Sequence, residues 1–204
     1  MSDIQTIKTL NKQLYRPLKQ VEKISWITKG YVLNDDQQLT HLSIFKSQLN
    51  GTIPDEIFKL ESLEYIDIRE NNIDNIPEAI GQLTQLRYID IRINKLSSLP
   101  QSLPLLEKLE RLYLGHNALH EIPALISQLA SLNLIDLSDN EITEGCESLL
   151  NSKSLRNIYL NNNQLTSFPF EKVGIEQLDE LVLIDNPLDE YQGTTRDKIN
   201  RLIL

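Results

Sequence analysis

The 204-residue chain carries 20 Lys and Arg against 29 Asp and Glu, a formal net charge of -9, with 40% hydrophobic and 24% charged residues. That balance is too apolar for a disordered chain, the length suffices for a continuous core, and the acidity disfavours general attraction to nucleic acid or anionic lipid while leaving room for a local basic patch. A lone cysteine, Cys146, excludes an internal disulfide, and no apolar run approaches the roughly 20 residues that cross a bilayer, so no membrane insertion is expected.

In chain order, the opening MSDIQTIKTLNKQ has no continuous apolar core of the secretory kind. With Met1 as the native start, a cytoplasmic location is the expectation. Ser2 with Gln5 makes a capping box, and Ile4, Ile7, Leu10 and Leu14 follow at helical spacing. Pro17 breaks this helix from a second one, which carries Leu18, Val21 and Ile24 toward a core and ends near Trp26 as a large plug. The amphipathic stretch 3–27 has another reading, docking on a partner or a membrane. YVLNDDQQLTHLSI then reads as a strand, a polar turn at Asp35–Gln38 and a second strand, a hairpin suited to covering a sheet edge.

From there the sequence repeats. Asn71, Asn94, Asn117, Asn140, Asn163 and Asn186 recur every 23 residues in the frame L/I-x-x-L/I-x-L/I-x-x-N-x-L/I, with copies starting at Leu63, Leu86, Leu109, Leu132, Leu155 and Leu178. An earlier copy at Leu39 places Ser47 at the asparagine position, making seven repeats. Alternation within each copy, as in LEYIDI, buries one side of a short strand. A buried asparagine both donates to and accepts from backbone groups, so the six asparagines form a structural ladder behind the strands. The frame, from about Leu39 to Tyr191, resembles the leucine-rich-repeat family in its short 23-residue form. That resemblance implies an α/β fold: a right-handed horseshoe solenoid with a parallel concave sheet, a helical N-terminal cap and a short C-terminal helical cap.

Ile53-Pro54, Ile76-Pro77, Leu99-Pro100, Ile122-Pro123 and Phe168-Pro169 mark extended steps followed by a turn or short helix on the convex side. In the fourth asparagine repeat Gly145-Cys146 replaces the apolar-proline step, so its convex side should change shape. The first copy is one residue longer and contains NGTIP. At the end of the chain, Thr194 or Thr195 is placed to cap a helix carrying Ile199, Leu202 and Ile203. The organisation expected is one structural domain: a cap and edge strand over 1–38, seven repeats over 39–190 and a terminal cap over 191–204.

No catalytic constellation is visible. His41, His116 and His120 are scattered, and HExxH, GxSxG, phosphate-loop and CxxC motifs do not occur. The acids of DLSDNEITE belong to the repeat frame and lack the glycine of a calcium loop, so neither metal nor cofactor is expected. Outward strand positions hold what functional information there is. The resemblance makes them a concave ligand-gripping surface, with Phe45, Tyr65, Asp67, Arg69, Tyr88, Asp90, Arg92, Arg111, Tyr113, His116, Asp136 and Tyr159 as the candidates. Tyrosine and arginine are enriched among interface hot spots; against that stands a plain reading in which Asp67 beside Arg69 and Asp90 beside Arg92 are solvated ion pairs worth little. The expected function is a non-catalytic, monomeric interaction module for a protein or peptide. An adaptor regulating a partner enzyme, or an exported adhesion protein, is the alternative.

Overall fold

The computed structural model describes residues 2–173, 178–189 and 199–204, the last stretch with side chains from 201. Helix α1 (Asp3–Leu10) starts where expected, with the Ser2 hydroxyl accepting from the Gln5 N–H. It buries Ile7 and Leu10, and the Asp3 carboxylate accepts the Leu39 N–H at 2.7 Å, tying the cap to the first repeat. The hairpin also forms: β1 (Gly30–Leu33) pairs antiparallel with β2 (Leu39–Ser43).

Next come β3 (Asn50–Thr52), β4 (Tyr65–Asp67), β5 (Asn72–Asn75), β6 (Tyr88–Asp90), β7 (Arg111–Tyr113) and β8 (Leu134–Asp136). Helix α2 (Cys146–Leu150) precedes β9 (Asn157–Tyr159), β10 (Leu178–Val182) and β11 (Ile199–Ile203). Among the described residues, nine strands make one sheet in the order β1-β2-β4-β6-β7-β8-β9-β10-β11, every pair after the first being parallel, while β3 and β5 form a small second sheet in the NGTIP region. Short 3-10 helices at Asp55–Lys59, Glu78–Gln82, Leu103–Leu105, Ala124–Gln128 and Phe170–Lys172 return the chain behind the sheet. Between these layers a single core runs the length of the solenoid, with Ile66, Ile89, Leu112, Ile135 and Ile158 in file.

The asparagine ladder fixes the spacing of the repeats. Asn117 donates to the carbonyls of Leu114 at 2.9 Å and of Ile91, in the preceding repeat, at 3.2 Å, and its Oδ1 accepts the Leu96 N–H at 3.0 Å. Asn71, Asn94, Asn140, Asn163 and Asn186 repeat this arrangement. Immediately before each asparagine stands a non-glycine residue in the left-handed region, among them Glu70, His116 and Asn162; for the β-branched Ile93, at φ 57°, this conformation is strained.

Three expectations are corrected. Residues 18–24 are not helical: the Val21 N–H donates to the Tyr31 carbonyl at 2.9 Å and the Tyr31 N–H to the Lys19 carbonyl at 3.1 Å, so this segment runs along β1. An exposed sheet edge offers unpaired backbone groups, and satisfying them outweighs the weak helical spacing. Trp26 is 75% exposed and plugs nothing. At the other end, residues 199–203 form a strand rather than a capping helix, again because β10 presents an edge to be paired; Thr194 and Thr195 lie outside the described residues.

The expected change at the fourth repeat is present as α2. Gly145 has φ 94°, and a Cβ there would stand 2.5 Å from the Ile122 carbonyl oxygen, so only glycine permits the step into the helix. Cys146 is buried, and burial pushes its thiol up to about 12.

These features lead to three expectations. Ile89→Asp puts a charge into the core and should lower unfolding free energy by more than about 3 kcal/mol, read by circular dichroism melts. Asn117→Ala strands buried backbone groups in two repeats and should cost about 2 to 3 kcal/mol in a denaturant titration. Cys146 should resist iodoacetamide at about pH 8 in the native protein and react only on unfolding, followed by intact-mass measurement.

Candidate partner-binding face

Parallel register places corresponding side chains side by side across the sheet: His41, Tyr65, Tyr88, Arg111, Leu134, Asn157 and Glu180 in one file, and Ser43, Asp67, Asp90, Tyr113, Asp136, Tyr159 and Val182 in the next. Strand alternation turns both files away from the core.

The first file begins as an aromatic stack, which Tyr113 of the second file continues. His41 and Tyr65 lie 5.6 Å apart between ring centroids, Tyr65 and Tyr88 4.3 Å, and Tyr88 and Tyr113 5.1 Å. Tyr65 and Tyr88 are half-buried, and burial raises both phenols, Tyr65 to about 12. Farther along, the Tyr159 hydroxyl donates to Glu180 at 2.6 Å, and burial and this contact push it to about 12.

The second file differs from the solvated ladder considered above. Asp67 and Asp90 face outward yet are buried, at 0% and 2% exposure, because the arginines two residues on fold back over them. Arg92 grips Asp90 with two bonds, Nε to Oδ1 at 2.9 Å and Nη2 to Oδ2 at 2.7 Å, which raises the guanidinium pKa further. Arg69 Nε reaches Asp67 at 3.1 Å, and the Ser43 hydroxyl donates to the same carboxylate at 2.9 Å. Burial still pushes Asp67 above the usual carboxylate value, with Arg69 opposing it. Such desolvated pairs are costly to break, since removing one partner leaves a buried charge. Asp136 bonds Ser138 at 2.7 Å and lies 3.9 Å from Arg92. Both arginines also cover rings, Arg69 over Phe45 at 5.1 Å and Arg92 over Tyr113 at 4.9 Å.

Of the twelve candidate residues, eleven stand on this surface. His116 does not: it occupies the left-handed turn after β7 and is exposed at the rim, 3.3 Å from Asp139. Arg111 is the exposed arginine of the group, whereas Arg69 and Arg92 are engaged within the protein. Sequence reasoning missed the contribution of the N-terminal segment. The Trp26 carbonyl accepts from the Arg69 guanidinium, and Lys29 lies over the Phe45 ring at 5.2 Å while donating to the Lys46 carbonyl at 2.9 Å. Burial, then the charge of Arg16, lowers the Lys29 pKa. No periodic signal connects residues 26–29 to the repeats. Among the described residues, no group of three or more His, Cys, Asp or Glu is placed to hold a metal ion, and no helix is long and apolar enough to span a membrane.

Comparison with known proteins agrees with this architecture. A family model for the leucine-rich repeat region matches residues 37–196. Solved structures with the same fold include a leucine-rich-repeat protein of Leptospira interrogans (24% identity, TM-score 0.64, covering 80% of this chain and 49% of that one). An internalin of Listeria monocytogenes is similar at 22% identity and TM-score 0.67, over 85% of this chain and 51% of its own. The PEPR1–AtPEP1 complex is similar at 28% identity and TM-score 0.69, over 92% and 32%. The chain thus spans about half the length of the first two and a third of the last. No curated protein gives a match. Proteins of this fold commonly mediate protein–protein interaction and are typically non-enzymatic. By the match across most of its length, this chain belongs to the leucine-rich-repeat family.

Proposed function

We propose that the chain is a non-catalytic recognition module that binds a protein or peptide on its concave face, centred on Tyr65, Tyr88, Arg111, Tyr113 and Tyr159. One observation carries this reading: a stack of outward, half-buried tyrosines stands beside carboxylate–guanidinium pairs that are already closed. A ligand arriving there meets rings and hydroxyls that need little further ordering, which reduces the entropic cost of association. Seven repeat strands about 4.8 Å apart give a surface roughly 30 Å long, enough for a standard interface.

Arg92 is a poor residue to truncate in a test, because its loss uncovers buried Asp90. Tyr88→Ala with Arg111→Ala removes the ring and the exposed guanidinium while leaving both buried ion pairs in place. Affinity capture from source-cell lysate, followed by titration of the captured partner, should show binding weakened about tenfold or more, since hot-spot truncations cost more than about 1 kcal/mol each. Gln82→Ala with Gln128→Ala, on the convex side, should bind like wild type. Loss with the convex pair and not the concave one moves the site to the opposite face.

A further inference from the structure

The charge of the chain is unevenly distributed. Residues 8–29 hold six basic side chains (Lys8, Lys12, Arg16, Lys19, Lys23 and Lys29) and one acidic, Glu22, whereas the rest of the sequence holds fourteen basic and twenty-eight acidic. The same segment exposes large apolar side chains: Tyr15 at 76%, Trp26 at 75% and Ile27 at 66%.

Local hydrogen bonds hold these residues outward. Asn11 accepts the Leu18 N–H at 2.7 Å and donates to the Leu18 carbonyl at 3.3 Å, pinching off a loop with Tyr15 and Arg16 at its exposed end. Ser25 and Thr28 close a tight turn through a backbone bond of 3.0 Å and a hydroxyl contact of 2.6 Å, leaving Trp26 and Ile27 as its two central residues. The Arg69 guanidinium anchors this turn by its Trp26 carbonyl. Tryptophan and isoleucine at the tip of a turn contribute nothing to the core, and exposed apolar groups in a segment rich in exposed cations match the layered chemistry of a membrane surface, anionic outside and apolar beneath.

We propose that the N-terminal cap binds the headgroup layer of an anionic lipid bilayer, with Trp26 and Ile27 entering the interface and Lys19, Lys23 and their basic neighbours lying against lipid phosphates. This goes beyond the concave-face reading and does not depend on it. The acidic remainder of the molecule is repelled by the same surface, which orients the cap toward the lipid and keeps the attachment peripheral and salt-sensitive.

Trp26 is the only tryptophan, so its emission reports on the tip directly. Full-length protein is mixed with vesicles of phosphatidylcholine alone and of equimolar phosphatidylcholine and phosphatidylglycerol. Anionic vesicles should shift the emission to shorter wavelength and sediment the protein; neutral vesicles should do neither, and added salt should reverse the binding. Trp26→Ala with Ile27→Ser, read by sedimentation, and Lys19→Glu with Lys23→Glu should each weaken vesicle binding about tenfold or more. All four positions are exposed, and circular dichroism confirms the fold of each variant. Equal binding to neutral vesicles, no binding to anionic ones, or variants that bind like wild type overturns the proposal. A blue shift with soluble polyglutamate but not with vesicles also overturns it, in favour of an acidic protein segment as the occupant.

Discussion

A buried amide needs four hydrogen-bonding partners that protein can supply only at fixed distances, and six asparagines at 23-residue spacing meet that need in one way throughout this chain. Each closes its own turn by donating to the carbonyl three residues earlier, and reaches back to a carbonyl and an N–H of the preceding repeat. Neighbouring repeats cannot slide past one another without breaking those bonds, so strand register is locked. The left-handed residue before each asparagine follows from the same turn, and the ladder sustains it even where Ile93 makes it strained.

Locked register has an electrostatic consequence on the concave side. Side chains 23 residues apart are brought to the spacing of adjacent strands, so Tyr65 lies against Tyr88, and Asp67 against Asp90. Two carboxylates in one file repel, and the arginines two residues further on relieve that repulsion; Arg69 even comes within 3.9 Å of Asp90 in the next repeat. The result is a continuous network alongside the tyrosine file, with its arginines lying over Phe45 and Tyr113. Surface position alone would make these ion pairs weak, but their burial makes each partner depend on the other.

The two ends of the repeat sheet are extended differently. At the start, β1 pairs antiparallel with the first repeat strand, and residues 19–21 run beside it. At the end, β11 continues the parallel order. Covering the first edge with an extended segment, rather than a second helix, turns the intervening chain outward at Ser25–Thr28 and sets its Trp26 carbonyl against Arg69 and its Lys29 over Phe45. The cap is therefore continuous with the concave face instead of lying only over the core.

The repeat frame, the buried strand positions, the asparagine ladder, the α1 cap, the first hairpin and the altered fourth repeat were all legible in the sequence. Each is set by local periodicity or by one residue's backbone chemistry: Asn at its turn, Gly145 at its left-handed step, Ser2 at a helix start. Tertiary structure alone decided the remainder. Residues 18–24 and 199–203 have side-chain patterns compatible with helix, but they pair with sheet edges, whose unsatisfied backbone groups lie far away in sequence or in another element. Likewise, sequence could place Asp67 and Asp90 outward but could not show that arginines would fold over and bury them, nor that Trp26 would meet Arg69. Those outcomes depend on how side chains from different segments share a limited volume, a quantity that periodicity does not encode.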